Sequence, residues 1–312
     1  MGDGGDMSHL NADLVPPGAP TPGLPYSSTL RTTKARWWKP AVGIPLGMIL
    51  MLVASFAASL GAMAIDASVF GRPFDFTAMT PMVYAGSLLG LVALIPITWF
   101  LVRVIHRQSW GWNSSVQQRL RWQLILTPVP LLLVLFLAYM IVFTPLFADQ
   151  GGGGRSPQWL TFLLIGVLLM PLQAAAEEIF FRGYVQRAAG SWFSGQRAAL
   201  IGGTTVSAVL FASAHLATDP WLNLYYLAFG VALSIATQLT GGLEAAIAIH
   251  VVNNVVAGAV ASYTTDVTQM FDRSAGVGGP FMLVQIAVIG VSAAALVWWS
   301  RRRQVATRVA AA

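Results

Sequence analysis

The chain contains no cysteine, which excludes disulfide frameworks, thiolate metal sites, cysteine nucleophiles and lipid attachment through sulfur. Charge is scarce as well: 10% of the 312 residues are Asp, Glu, Lys or Arg against 56% apolar, and mean hydropathy is +0.66. Soluble domains carry about a quarter charged residues, so a water-soluble globular fold is excluded. No signal peptide is visible, because the first apolar run begins near Ala41 and has no small-residue cleavage site behind it. That run reads as a retained anchor. No internal repeat is present, which counts against a transporter built from inverted halves. The run Gly151 to Gly154 is not followed by GK[ST], so it reads as a flexible outer loop with no phosphate to cradle.

A membrane-spanning helix needs about 20 mostly apolar residues. Windows of that length occur at 41–65, 82–102, 123–147, 158–187, 198–216, 221–240, 243–262 and 281–299. The expected fold is therefore all-α, a polytopic membrane protein with about eight transmembrane helices. Residues 1–40 are polar and carry Pro16, Pro17, Pro20, Pro22 and Pro25, so they are expected to form a disordered cytoplasmic tail. The division expected is 41–150 for three accessory helices, 151–265 for a helical core, and 266–312 for the last helix and a basic tail.

The basic residues give an independent check on this count. With the N-terminus inside, cytoplasmic loops hold Arg31, Lys34, Arg36, Lys39, Arg103, Arg107, Arg119, Arg121, Arg182, Arg187, Arg197, Arg301, Arg302, Arg303 and Arg308, leaving only Arg72, Arg155 and Arg273 outside. Both termini are then cytoplasmic, in the cell membrane. The net charge of +6 needs no nucleic-acid partner. The cluster Arg301 to Arg303 reads as an anchor to anionic lipid.

Two of the three glutamates, Glu177 and Glu178, are adjacent within the fourth apolar run. An ionised side chain at mid-bilayer costs about 2.5 to 3.5 kcal/mol on insertion scales, an expense that packing does not explain. Arg182 follows Glu178 by one helical turn and can neutralise it, whereas Glu177 points about 100° away around the helix. The bland alternative is a juxtamembrane charge cluster snorkelling to the interface. His215 and His250 also fall within apolar runs, while His9 lies in the tail and His106 at a loop edge. A lone buried histidine usually serves helix packing. Two of them with an acid and an amide can activate water and stabilise an oxyanion. Asn254 shares the helix face of His250, and Asn253 is turned away by one position. Phe211 lies on the stripe of His215.

Glu177-Glu178-Ile-Phe-Phe-Arg182 resembles an EExxxR motif, Phe211-Ala-Ser-Ala-His215 an FxxxH motif, and His250-Val-Val-Asn253-Asn254 an HxxxN motif. In this order, and each in an apolar run, they resemble the CPBP family of intramembrane proteases, which includes the type II CAAX prenyl endopeptidases and bacteriocin-immunity relatives. The resemblance covers about residues 155–265. It implies an endopeptidase acting on membrane-associated peptides or proteins, in which Glu177 activates water. By the same resemblance His215 and His250 position that water or polarise the scissile carbonyl, Asn254 holds the oxyanion, and Glu178 and Arg182 orient the rest.

Cofactor-free glutamate catalysis is the preferred chemistry. The alternative is a zinc ion held by Glu177, His215 and His250 with an open fourth position. HExxH, GxSG and GxGD motifs are absent. Two other functions stay open at this point: a non-proteolytic scaffold or immunity protein, and a proton-coupled transporter. Straight helices put Glu177 and His250 in the inner half of the membrane and His215 nearer the outer half. A bend, which Pro171 permits, or a displaced helix is therefore expected.

Overall fold

The computed structural model describes residues 18–147, 156–264 and 267–311. The Gly151 to Gly154 run, His9 and the rest of residues 1–17 lie outside the described residues. Eight helices are long and apolar enough to cross a membrane: α1 Trp38–Phe70, α2 Pro81–Ile105, α3 Trp122–Val142, α4 Trp159–Gly190, α5 Gln196–Ala214, α6 Pro220–Thr240, α7 Glu244–Thr264 and α8 Met282–Arg302. The protein is an all-helical, multi-pass membrane protein. Among the described residues there is no strand, only the isolated bridges Pro25 to Arg308 and Ser115 to Gly242.

Local chemistry sets the helix ends. Thr80 caps α2, its hydroxyl accepting from the Val83 N–H at 3.1 Å, and Pro81 supplies the first-turn residue that has no N–H to lose. Asp219 and Pro220 do the same for α6, with the carboxylate accepting from the Leu222 N–H at 2.9 Å. That helix stops at Gly241, whose φ of 72° is the left-handed region glycine enters freely. The chain then turns directly into α7.

The helices form one bundle in which α4 lies between α2 and α7, and α6 packs on both α5 and α8. Helix α4 runs through Pro171 and then widens into a π turn at Phe181–Val185 before ending at Gly190. The Phe181 carbonyl, which accepts the Gln186 N–H across the widened turn, also accepts from the Ser207 hydroxyl of α5 at 2.8 Å, tying that turn to its neighbour. Helix α7 starts inside the protein. Every residue from Leu243 to His250 is buried, and Glu244 is clamped by Arg121, with Nη2 to Oε2 at 2.6 Å and Nε to Oε1 at 2.9 Å.

The segment ahead of α1 departs from the expected disordered tail. From Gly18 onward it packs on the bundle, with Tyr26 and Ser27 fully buried. It lacks the apolar surface to fold alone but docks onto a preformed seat. The Tyr26 hydroxyl donates to the Asn113 carbonyl. The Ser27 N–H donates to Gln238 Oε1 at 2.9 Å, and Gln108 Nε2 donates to the Thr29 carbonyl at 2.7 Å. The centre of the seat is Arg187, fully buried on the inner turn of α4. Its guanidinium donates to Thr29 Oγ1 at 2.6 Å, to Asn113 Oδ1 at 3.1 Å, to the Gly183 carbonyl at 3.0 Å, and to Gln108 Oε1. The Gly23 N–H also donates to the Val309 carbonyl at 2.9 Å, and the Val309 N–H to the Leu24 carbonyl at 3.0 Å, so both described ends of the chain meet at one end of the bundle.

Candidate active site

Glu177 and Glu178 occupy the stretch of α4 just before the π turn, and both are buried, as are Arg182 and His250. Adjacent positions on a helix diverge by about 100°, and the two carboxylates accordingly do different things. Glu178 Oε1 accepts from Arg182 Nη1 at 2.8 Å and from His250 Nδ1 at 2.7 Å. A carboxylate paired with a guanidinium can only accept, so the Nδ1 of His250 carries a proton and its Nε2 is turned to the other carboxylate. That Nε2 lies 3.5 Å from Glu177 Oε2. The guanidinium of Arg182 stands over Phe211, 4.4 Å from the ring centroid, a cation–π contact that supports its buried charge.

His215 closes α5 as its C-terminal cap. Its Nδ1 lies 2.8 Å from the Phe211 carbonyl, which again fixes the proton on Nδ1 and leaves Nε2 as the acceptor. The ring stacks on Tyr226 with centroids 3.8 Å apart. Phe211 is the hub between the two histidines, 4.8 Å from the ring of His215 and 6.0 Å from that of His250. Phe229 completes the apolar wall, edge-on to His250 at 4.8 Å. The residue after His215, Leu216, is exposed and held at φ 51°, a conformation that costs a residue with a Cβ about 1 to 2 kcal/mol.

Motif side chains of α4, α5 and α7 gather around Phe211, with Arg182 over its ring and the rings of His215 and His250 to either side. Asn254 Nδ2 donates to Gln173 Oε1 at 3.3 Å. Asn253, expected to face away, instead takes part: its amide donates to Asn254 Oδ1 at 3.0 Å and to the Tyr225 hydroxyl at 3.2 Å. Gln285 of α8 donates to the same hydroxyl at 3.2 Å. A chain of amides and one phenol thus runs from α4 through α7 and α6 to α8. It holds the Asn254 amide with its NH2 toward Gln173. Gln173 lies one turn before Glu177, a polar residue in an apolar run and so a signal present in the sequence. Gln285 carries the same mark in the last apolar run, whereas Tyr225 carries none.

The donor set also bears on a metal. Among the described residues no group of three His, Cys, Asp or Glu side chains has metal-binding geometry. As placed, Glu177, His215 and His250 do not form a zinc site, and no step below is routed through one.

Residues 157–256 match the family described as type II CAAX prenyl endopeptidase Rce1-like. The chain is also 25% identical over 164 residues to the uncharacterized protein YyaK of Bacillus subtilis (strain 168), an alignment covering 51% of this chain. It takes in 55% of that protein, so the chain spans about half the length of the curated relative it matches. No solved structure matches. The matched segment contains all of the motif residues and the helices that carry them, and the family it matches is one of peptidases. Residues 157–256 are thus similar to the type II CAAX prenyl endopeptidase Rce1-like family, the resemblance to which the three motifs pointed.

Proposed function

We propose that the protein is an intramembrane endopeptidase of the cell membrane, with both termini cytoplasmic, that hydrolyses peptide bonds of membrane-associated peptides or proteins by glutamate-activated water. The observation that carries this reading is the position of His250 between two carboxylates of different state. Glu178 is committed to Arg182 and to Nδ1 of His250, while Glu177 faces Nε2 at 3.5 Å. One acid is structural and the other is free to take a proton.

In this mechanism Glu177 and the Nε2 of His215 hold the attacking water. The water oxygen bonds to the carbonyl carbon as its proton passes to Glu177. The resulting oxyanion is met by the Asn254 amide, while Nε2 of His250 accepts from the newly protonated Glu177 carboxyl and keeps it oriented. Collapse breaks the C–N bond, and the proton on Glu177 leaves with the amine. General acid–base catalysis of this kind is worth about 10² to 10⁴ in rate, and a single oxyanion donor about 10² to 10³. The fixed amide chain from Gln173 to Gln285 means that Asn254 need not reorganise as charge develops. Arg182 and Glu178 hold His250 in the required tautomer and do not touch the reacting atoms. No nucleic acid enters this reading; the partners are the substrate and the bilayer.

The test is cleavage of a peptide library by the purified protein in detergent, with and without chelator, for wild type and Glu177→Gln. The expected result is cleavage that survives chelation and falls about 10³-fold or more in the variant. Cleavage abolished by chelator and restored by zinc overturns the metal-free chemistry. Undiminished cleavage by Glu177→Gln overturns the role of the base.

A further inference from the structure

A cleft of about 500 Å³ opens at the end of the bundle where the chain termini meet, between the start of α1 and the end of α2, away from the pocket described above. Its walls carry Lys34, Arg36, Lys39 and Arg107, its apolar side is formed by Trp38 and Ile105 among others, and no acidic side chain lines it. Lys39 is buried, and its ammonium finds the Lys34 carbonyl at 3.1 Å. The charges of Arg107, Arg36 and Lys34 all act on that ammonium. Four like charges thus converge with no anion of the protein between them. Arg107 is held there at φ 53°, between His106 and Gln108, whose N–H groups are tied back to the Leu101 and Val102 carbonyls at 3.1 and 3.0 Å. The backbone thereby accepts a costly conformation at a residue that lines the cleft.

We propose that this cleft binds the phosphodiester headgroup of an anionic phospholipid. An anion relieves the repulsion among the four cations, and a lipid phosphate is the one that the position supplies. Trp37 and Trp38 are exposed at the first turn of α1, where interfacial indoles sit at headgroup height. The apolar side of the cleft continues onto the exposed Val104, so the glycerol and acyl part of a lipid leaves along the hydrophobic surface of α2. The basic residues ending α8 differ from this set. Arg302 and Arg303 lie over their own Trp298 and Trp299 at 5.3 and 4.8 Å, and Arg301 and Arg302 are not in the walls of this cleft, which makes them the natural control.

The experiment is native mass spectrometry of the full chain released from mixed micelles containing either phosphatidylglycerol or phosphatidylcholine. One phosphatidylglycerol is expected to be retained in preference to phosphatidylcholine. The double variant Lys34→Gln/Arg107→Gln, which spares the buried Lys39, is expected to weaken retention about fivefold for each charge removed. Arg301→Gln/Arg302→Gln is expected to leave it within about twofold, because its two charges act only through the diffuse surface potential. Equal retention of the two lipids by wild type, or equal losses in the two double variants, overturns the proposal. So does displacement of the lipid by inorganic phosphate at matching concentration, which would make the site one for free anions. The readout is lipid retention, so its outcome stands apart from that of the peptidase assay.

Discussion

Arg182 and Arg187 stand five positions apart in the same inner stretch of α4, both fully buried, and the fold treats their charges in opposite ways. Arg182 has a carboxylate partner and an aromatic face, but its Nε and Nη2 have no hydrogen-bond acceptor among the described residues. Arg187 has its donors spread over four neutral oxygens, from Thr29, Asn113, Gly183 and Gln108, and no carboxylate partner among the described residues. The first arrangement neutralises charge and leaves geometry loose. The second fixes geometry and leaves the charge formally unneutralised. The two arginines have different places: Arg182 is paired with the carboxylate oxygen that also meets Nδ1 of His250, whereas Arg187 is the peg onto which the segment before α1 is hung.

The comparison breaks most sharply at Glu178. Replacing it by glutamine leaves Arg182 as an unpaired buried charge, and a cost of about 3 to 5 kcal/mol is expected. Denaturant unfolding in detergent reads this, and the double change Glu178→Leu/Arg182→Met is expected to recover most of the lost stability while remaining inactive. Next comes Arg187→Met, which strands buried acceptors on Gln108 and Asn113 for a cost of about 2 to 4 kcal/mol. Limited proteolysis is expected to cut between Gly18 and Trp37 in this variant, while the cleavage rate per folded molecule stays within a few-fold of wild type.

A smaller effect lies on the Arg182 side, at Leu216. Leu216→Gly is expected to raise stability by about 1 kcal/mol by relieving the left-handed backbone. It is also expected to slow peptide cleavage severalfold, because glycine frees the turn that holds His215; a thermal melt and a rate on the same preparation give both numbers.

The last effect is a pH dependence and belongs to the Arg187 side. His106, just past the end of α2, has its pKa lowered to about 3, by burial first and then by the charges of Arg187 and Lys39. The unfolded chain therefore binds a proton that the folded one refuses between about pH 6.5 and 3, so stability rises with pH across that window and falls as the medium is acidified. His106→Gln, which can keep a hydrogen bond to the Tyr184 hydroxyl now 3.2 Å away, is expected to flatten that slope in melts taken from pH 7 to 4.

Much of this was legible in the sequence because its causes are local or periodic. Apolar runs long enough to span a bilayer gave eight helices, with ends close to those observed. The spacing of Glu178 and Arg182 by one turn gave their ion pair. What the sequence did not disclose depends on reach between elements. The exclusion of Asn253 followed from its angle around α7, but an amide side chain is long enough to bond sideways to Asn254 and back to Tyr225. The reading of 1–40 as a tail followed from composition, which measures whether a segment folds alone and not whether a surface awaits it. Tyr26 and Thr29 find such a surface only because Arg187, Gln108 and Asn113 have been brought together from two other parts of the chain.

The pairing of Gly23 and Leu24 with Val309 joins residues that precede α1 to residues that follow α8. During synthesis the early partner is ready long before the late one exists, so this clasp can close only after the whole bundle has been inserted. The leading segment meets Arg187, Gln108 and Asn113 as soon as α4 is in place, but its bonds to Val309 wait until α8 has been threaded into the lipid. Its final seating, a solvent-side step at the end of biogenesis, marks a molecule whose insertion is complete.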